Sequence, residues 1–151
     1  MDIWTALSVV AILGLIVVLW TRRPRERSFT VAIPEPVEEQ LAGFTARNGE
    51  LVGVLRERGV DLNTPRQIDL HFLANTEESA KTLMRSLGSA FPGGTLQLER
   101  AKSLGPAWSV TCVVQAAVSA IVQPQAVERR IRLATSAGAI HDGWGTPVEK
   151  R

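Results

Sequence analysis

The sequence predicts an α+β fold carried behind a single transmembrane helix. Three observations lead there. Residues 3–20 run from Ile3 to Trp20 without a charge. Residues 67–74 alternate between polar and apolar with the single exception of Leu73, the period of a half-buried strand. Behind a leading helical pattern, the remaining segments follow the order β-α-β-β-α-β.

The uncharged run would span about 27 Å as a helix at 1.5 Å per residue, close to the ~30 Å hydrocarbon core of a bilayer. Trp4 and Trp20 bound it, where amphipathic rings suit the two interfaces. Arg22, Arg23, Arg25 and Arg27 follow directly. By the positive-inside rule, the N-terminus faces outward and the rest of the chain stays in the cytoplasm, which in a bacterium means single-pass insertion in the inner membrane. A cleaved signal peptide would place its positive charge before the apolar run and a small-residue site after it; this chain has neither. The expected organisation is a transmembrane helix over 1–21, a basic collar with a proline-containing linker over 22–36, and a cytoplasmic domain over 37–151.

Net charge is +2 over 151 residues, and the collar supplies the excess. From Glu35 onward, 13 Lys and Arg balance 13 Asp and Glu, so the domain has no basic surplus for binding nucleic acid directly. The collar itself suits anionic lipid headgroups. Cys112 is the only cysteine, which excludes an internal disulfide and a multi-cysteine metal site.

Each element of the domain has its own signal. Val37, Leu41, Phe44, Leu51 and Leu55 form a helical stripe interrupted at Asn48, and Gly59 ends it. Gly43, Gly49 and Gly53 weaken that helix, so it depends on packing. Ile68, Leu70, Phe72 and Ala74 take one face of the first strand, and Gln67, Asp69 and His71 the other. Asn75 with Glu78 suggests a capping box for the next helix. That helix carries Ala80, Leu83, Met84, Leu87, Ala90 and Phe91 at its apolar period and stops at Pro92-Gly93-Gly94. Strands are expected over 95–102 and 107–118, joined at Leu104-Gly105-Pro106. Trp108, Val110, Cys112, Val114 and Ala116 share one side of the second. Pro124 suits a first helical position, Val127, Ile131 and Ala134 give the stripe of that helix, and Gly138 its end. A last short strand starts near Ala139.

This order is the ferredoxin-like, split βαβ arrangement with an extra leading helix. Its usual strand order is 4-1-3-2, with the last strand antiparallel to the first. One sheet face would be helix-covered and the other open or covered by the leading helix.

The chain contains no P-loop, GxGxxG, HExxH or GxSxG motif. Asp69, His71, His141 and Asp142 form the one constellation with catalytic chemistry in view. Two histidines and carboxylates brought together could ligate a metal or exchange protons, giving a small metal-dependent enzyme as the alternative function. Ordinary polar residues on a solvated sheet face are the simpler and preferred reading. Arg129, Arg130 and Arg132 read as a solvated helix face, and Cys112 as a buried small hydrophobe. No catalytic, cofactor or metal residue is therefore assigned.

Asp142-Gly143-Trp144-Gly145 differs in kind. Glycines on both sides of a tryptophan cost stability in a strand interior, which points to a bend that holds the ring in a set direction. Trp144 either closes the core or anchors a protein partner.

Ala139-Ile140-His141-Asp142-Gly143-Trp144-Gly145-Thr146, with Leu133-Ala134 before it, resembles the closing helix and strand of the ribonuclease E inhibitor family, also called regulator of ribonuclease activity B, whose domain characteristically ends in Tyr-Asp-Gly-Trp. Asp61-Leu62 and the stretch from Pro65 to Phe72 resemble that family's approach to its first strand. The resemblance implies a ferredoxin-like domain that works by binding protein and not by catalysis, its best-known members lowering the activity of the endoribonuclease that governs bacterial RNA decay. On that reading, Asp142, Gly143, Trp144 and Gly145 contact the partner or shape the contact surface. The partner is expected to be a protein, a ribonuclease or a membrane complex for which the domain is a scaffold subunit. Three features depart from the family: His141 stands in place of the aromatic, the acidic tail is replaced by Glu149-Lys150-Arg151, and a membrane anchor is added.

Overall fold

The structure, a computed structural model, describes residues 35–100 and 108–148. The expected membrane helix with Trp4 and Trp20, the arginine collar, and the turn at Leu104-Gly105-Pro106 lie outside these residues. Among the described residues, no helix is long and apolar enough to cross a membrane.

Helix α1 runs from Val37 to Glu57 without a break at Asn48. It opens on the Pro36 carbonyl, which accepts from the Glu39 and Gln40 amides. Glu38 and Glu39 lie in its first turn and Arg56 in its last, each favourably placed in the helix dipole. Gly59 follows with φ 73°, a conformation that costs a glycine little. Strand β1 (Arg66–Ala74) comes next, then helix α2 (Glu77–Ala90). Its cap is Thr76, whose hydroxyl accepts from the Ser79 amide at 3.1 Å, one residue beyond the Asn75 cap expected from sequence. Strands β2 (Thr95–Arg100) and β3 (Trp108–Ala116) follow.

Strand β3 ends earlier than its apolar run suggested. Val118–Ile121 forms a single helical turn, α3, and the Ser119 amide donates to the Leu62 carbonyl at 2.9 Å. That bond fastens the turn to the loop before β1. Helix α4 (Pro124–Ser136) begins on its proline, as expected. Strand β4 (Ala139–Gly145) closes the series.

The sheet order is β2-β3-β1-β4, and every neighbouring pair is antiparallel. This is the expected 4-1-3-2 order, two β-α-β units with each inserting a strand between the strands of the other. One face carries the core. Ile68, Leu70, Phe72, Val110 and Cys112 are fully buried there against Ala80, Leu83 and Leu87 of α2, Ala134 of α4 and Leu55 of α1. A second cluster joins α1 to α4 through Phe44, Val127 and Ile131. All three long helices thus share one side, and the leading helix does not cross to the other. The opposite face, which includes Gln67, His71, Thr111 and Gln97, is left open by the described elements.

Candidate functional site: the bulge at Asp142-Gly143 and its buried support

Strand β4 pairs with β1 in two registers. Ala139, Ile140 and His141 oppose Ala74, Leu73 and Phe72; Gly143, Trp144 and Gly145 oppose His71, Leu70 and Asp69. Asp142 has no opposite residue, so it is the extra residue of a β-bulge. A regular strand turns alternate side chains to the same face, which would send His141 and Trp144, three apart, to opposite sides. The inserted residue restores the phase. Both His141 and Trp144 face the core, at 4% and 9% exposure, and Asp142 is pushed out to solvent.

Gly143 makes this possible. Its φ is 146°, a region that a side chain disfavours, although a Cβ there would meet nothing within 4 Å. Conformation, not space, demands glycine at this position. Beyond the bulge, the chain is tied back onto β1. The Thr146 hydroxyl donates to the Gln67 carbonyl at 2.7 Å and accepts from the Arg66 Nε at 2.8 Å, while the same guanidinium donates to the Pro147 carbonyl.

Beneath the bulge lies a buried polar network. The Trp144 indole Nε1 donates to Oδ1 of Asn48 at 2.8 Å. Because an indole N–H can only donate, the Asn48 amide orientation is fixed, and its Nδ2 is left buried without a partner among the described residues. His141 is stacked on Phe44, with ring centroids 4.7 Å apart, and tilted against Phe72 at 5.0 Å. Its Nδ1 lies 3.2 Å from the His71 carbonyl. A carbonyl only accepts, so Nδ1 carries the hydrogen and Nε2 accepts from the Arg130 Nε at 3.3 Å. Arg130 also donates to the Ile121 carbonyl at 2.7 Å, anchoring the α3 turn to the same network. Burial, reinforced by the Arg130 charge, drives the His141 pKa down to about 3. Burial alone lowers that of Arg130 to about 10. The ring is therefore neutral and the guanidinium charged at physiological pH.

The metal or catalytic quartet is not assembled. Asp69 and His71 lie on the open face, His141 in the core on the other, and Asp142 on the extruded bulge. His141 meets only the backbone of His71. Among the described residues, no group of three His, Cys, Asp or Glu is placed to hold a metal ion. The arginine cluster also divides. Arg132 pairs with Glu128 at 2.6 Å, whereas Arg130 is 2% exposed and not on the solvated face assigned to it from sequence. Cys112 is fully buried, and that burial pushes its thiol upward.

Sequence reading missed Asn48 and Arg130 as working residues. Both carried a signal. Asn48 continues the Phe44–Leu51–Leu55 stripe at helical spacing, so the apparent interruption is a polar residue facing the core. Arg130 lies three residues after Val127 and four before Ala134, on the buried flank of α4.

Fold and site together define a small α+β domain whose signature motif builds a supported bulge at a sheet edge, with its tryptophan held beneath. Residues 45–146 match the family described as regulator of ribonuclease activity B. That match spans more than half of the chain, and the chain belongs to this family. No curated protein matches the chain.

Proposed function

We propose that this chain is a membrane-tethered regulator that binds a ribonuclease E-type endoribonuclease through a ferredoxin-like domain and modulates RNA decay. One observation carries the reading. The signature Asp142-Gly143-Trp144-Gly145 is spent on shaping a surface: it buries Trp144 against Asn48 and turns Asp142 outward on a bulge. Such a feature suits recognition by another protein, where a positioned charge beside exposed strand-edge backbone confers specificity. Membership of a family of ribonuclease regulators supplies the partner class.

The apolar run between Trp4 and Trp20, with the collar of Arg22, Arg23, Arg25 and Arg27, supports inner-membrane anchoring with the domain on the cytoplasmic side. Tethering raises the effective concentration of the domain for any partner held at the same membrane. Membrane fractionation after alkaline carbonate extraction tests the anchor. The full chain is expected in the pellet and a chain lacking residues 1–27 in the supernatant. Recovery of the full chain in the supernatant overturns the tethering.

A further inference from the structure

The face of the sheet turned away from the helices is uncovered by any described element, and its chemistry is one-sided. Strand register places Gln97, Thr111, His71 and Gly143 in one row across all four strands. Asp69 and Glu99 lie on either side of that row, on β1 and β2. Apart from Asp142 on the edge bulge, they are the only residues of fixed charge among the described residues of this face, which includes no lysine, arginine, phenylalanine, tyrosine or tryptophan. Neither carboxylate is in an ion pair with another described residue. The ion pairs of the described residues are Lys81–Glu77 and Arg132–Glu128, both on helices. Asp69 accepts only a neutral bond, from the Gln67 amide at 3.0 Å, and Glu99 is exposed. The surface is also flat, because Gly143 and Gly145 stand where β4 would otherwise project side chains past His71.

These features select the occupant. A sheet that binds single-stranded RNA stacks bases on several aromatic side chains and draws phosphates with basic ones; among the described residues this face offers the single ring of His71 and no lysine or arginine. We propose that the open face docks a basic segment of a partner protein, with lysine or arginine side chains meeting Asp69 and Glu99. The inference rests on the protein-binding reading above and adds the chemistry of the partner. From strand spacing and rise, the two carboxylates are roughly 17 Å apart, about five residues of an extended chain. A segment with basic residues at that separation can engage both while its backbone crosses the neutral row between them. Glu99 is exposed and Asp69 half-buried, so each contact is individually weak, and affinity depends on engaging the pair together and falls with salt.

The test is a titration of the isotope-labelled full chain, held in neutral phosphatidylcholine discs, followed by backbone amide spectra. The probe is a short Gly/Ser peptide carrying two Arg-Arg pairs, with its Glu-Glu counterpart and an oligouridine as controls. Shifts at residues of β1, β2 and β3 with the arginine peptide alone are expected. In Asp69→Asn/Glu99→Gln, binding should weaken by about five-fold or more; in Asp69→Lys/Glu99→Lys, the preference should pass to the Glu-Glu peptide. The same spectra report whether each variant is folded, and the neutral pair serves where the reversed pair is not. Shifts confined to the helices, equal response to both peptides, displacement by oligouridine, or no response at all would each overturn the proposal. Ribonuclease E is absent from this titration. Failure of the full chain to bind that enzyme would therefore count against the regulator reading and leave the docking face to be judged by the peptide.

Discussion

The Trp144 indole N–H donates to Oδ1 of Asn48 at 2.8 Å across 96 residues of sequence, joining the middle of α1 to the end of β4. Both groups are buried, so each depends on the other. Removing one partner of a buried hydrogen bond leaves the other desolvated and unpaired, at a cost of about 1–3 kcal/mol. Asn48→Ala should therefore destabilise the protein by that amount in urea denaturation. Asn48→Leu combined with Trp144→Phe should cost much less than the sum of the single changes, since the pair is coupled. Additive losses would show that the bond contributes nothing specific.

Gly143 tests the bulge. With φ at 146° and open space around a virtual Cβ, Gly143→Ala should lose about 1–3 kcal/mol from backbone strain alone. Gly145→Ala is the control. Its added methyl would make an ordinary 3.6 Å contact with Nε2 of His71, and its loss should stay under about 1 kcal/mol. Equal effects at the two sites would contradict the account of the bulge.

The pKa of His141 gives stability a pH dependence of known sign. Its folded value, about 3, lies below the ordinary 6.5 because of burial first and the Arg130 charge second. Below pH 6.5 the unfolded chain takes up a proton that the folded chain refuses. The contribution of the neutral ring is intact above pH 6.5 and is lost as pH falls toward 3, by up to about 1.4 kcal/mol per unit. His141→Phe should flatten this part of the stability profile relative to the parent, even though it lowers stability at neutral pH by unpairing Arg130 and the His71 carbonyl.

Helix α1 contains stabilisation not taken up. Gly43 and Gly49 are exposed, and a Cβ at either would meet nothing within 4 Å. Alanine at each should raise stability by about 0.5–1 kcal/mol. A gain in thermal stability without any change in partner binding would mark these glycines as idle; a loss would mean that helix entropy does not govern the site.

The sheet was legible because its signal is local. Ile68, Leu70, Phe72 and Ala74 take every second position, with Leu73 the one apolar residue off that face, and Pro124 and Gly138 mark helix ends by backbone geometry alone. What escaped depends on pairing across the chain. Nothing near Asp142 announces that Phe72 opposes His141 while His71 opposes Gly143; the glycine suggested a bend, but the phase change that puts His141 and Trp144 on one face is a property of two strands. The interruption at Asn48 acquires meaning only when an indole 96 residues away supplies the donor. Arg130 was read by its charge, and charge did not decide its place, because the His141 ring and the Ile121 carbonyl satisfy it inside. The α3 turn was missed, and its first residue placed in a strand, because Val118 continues the apolar run of β3 and the Leu62 carbonyl that holds Ser119 is distant in sequence.

Cleavage by purified ribonuclease E in the presence of the full chain in lipid discs tests whether the supported bulge presents Asp142 to a ribonuclease partner. The parent should bind the enzyme and change its cleavage rate. Asp142→Arg, with an unchanged melting temperature because the side chain is solvated, should weaken that binding about ten-fold or more. Cleavage indifferent to the parent, or an equal effect from parent and Asp142→Arg, would contradict it.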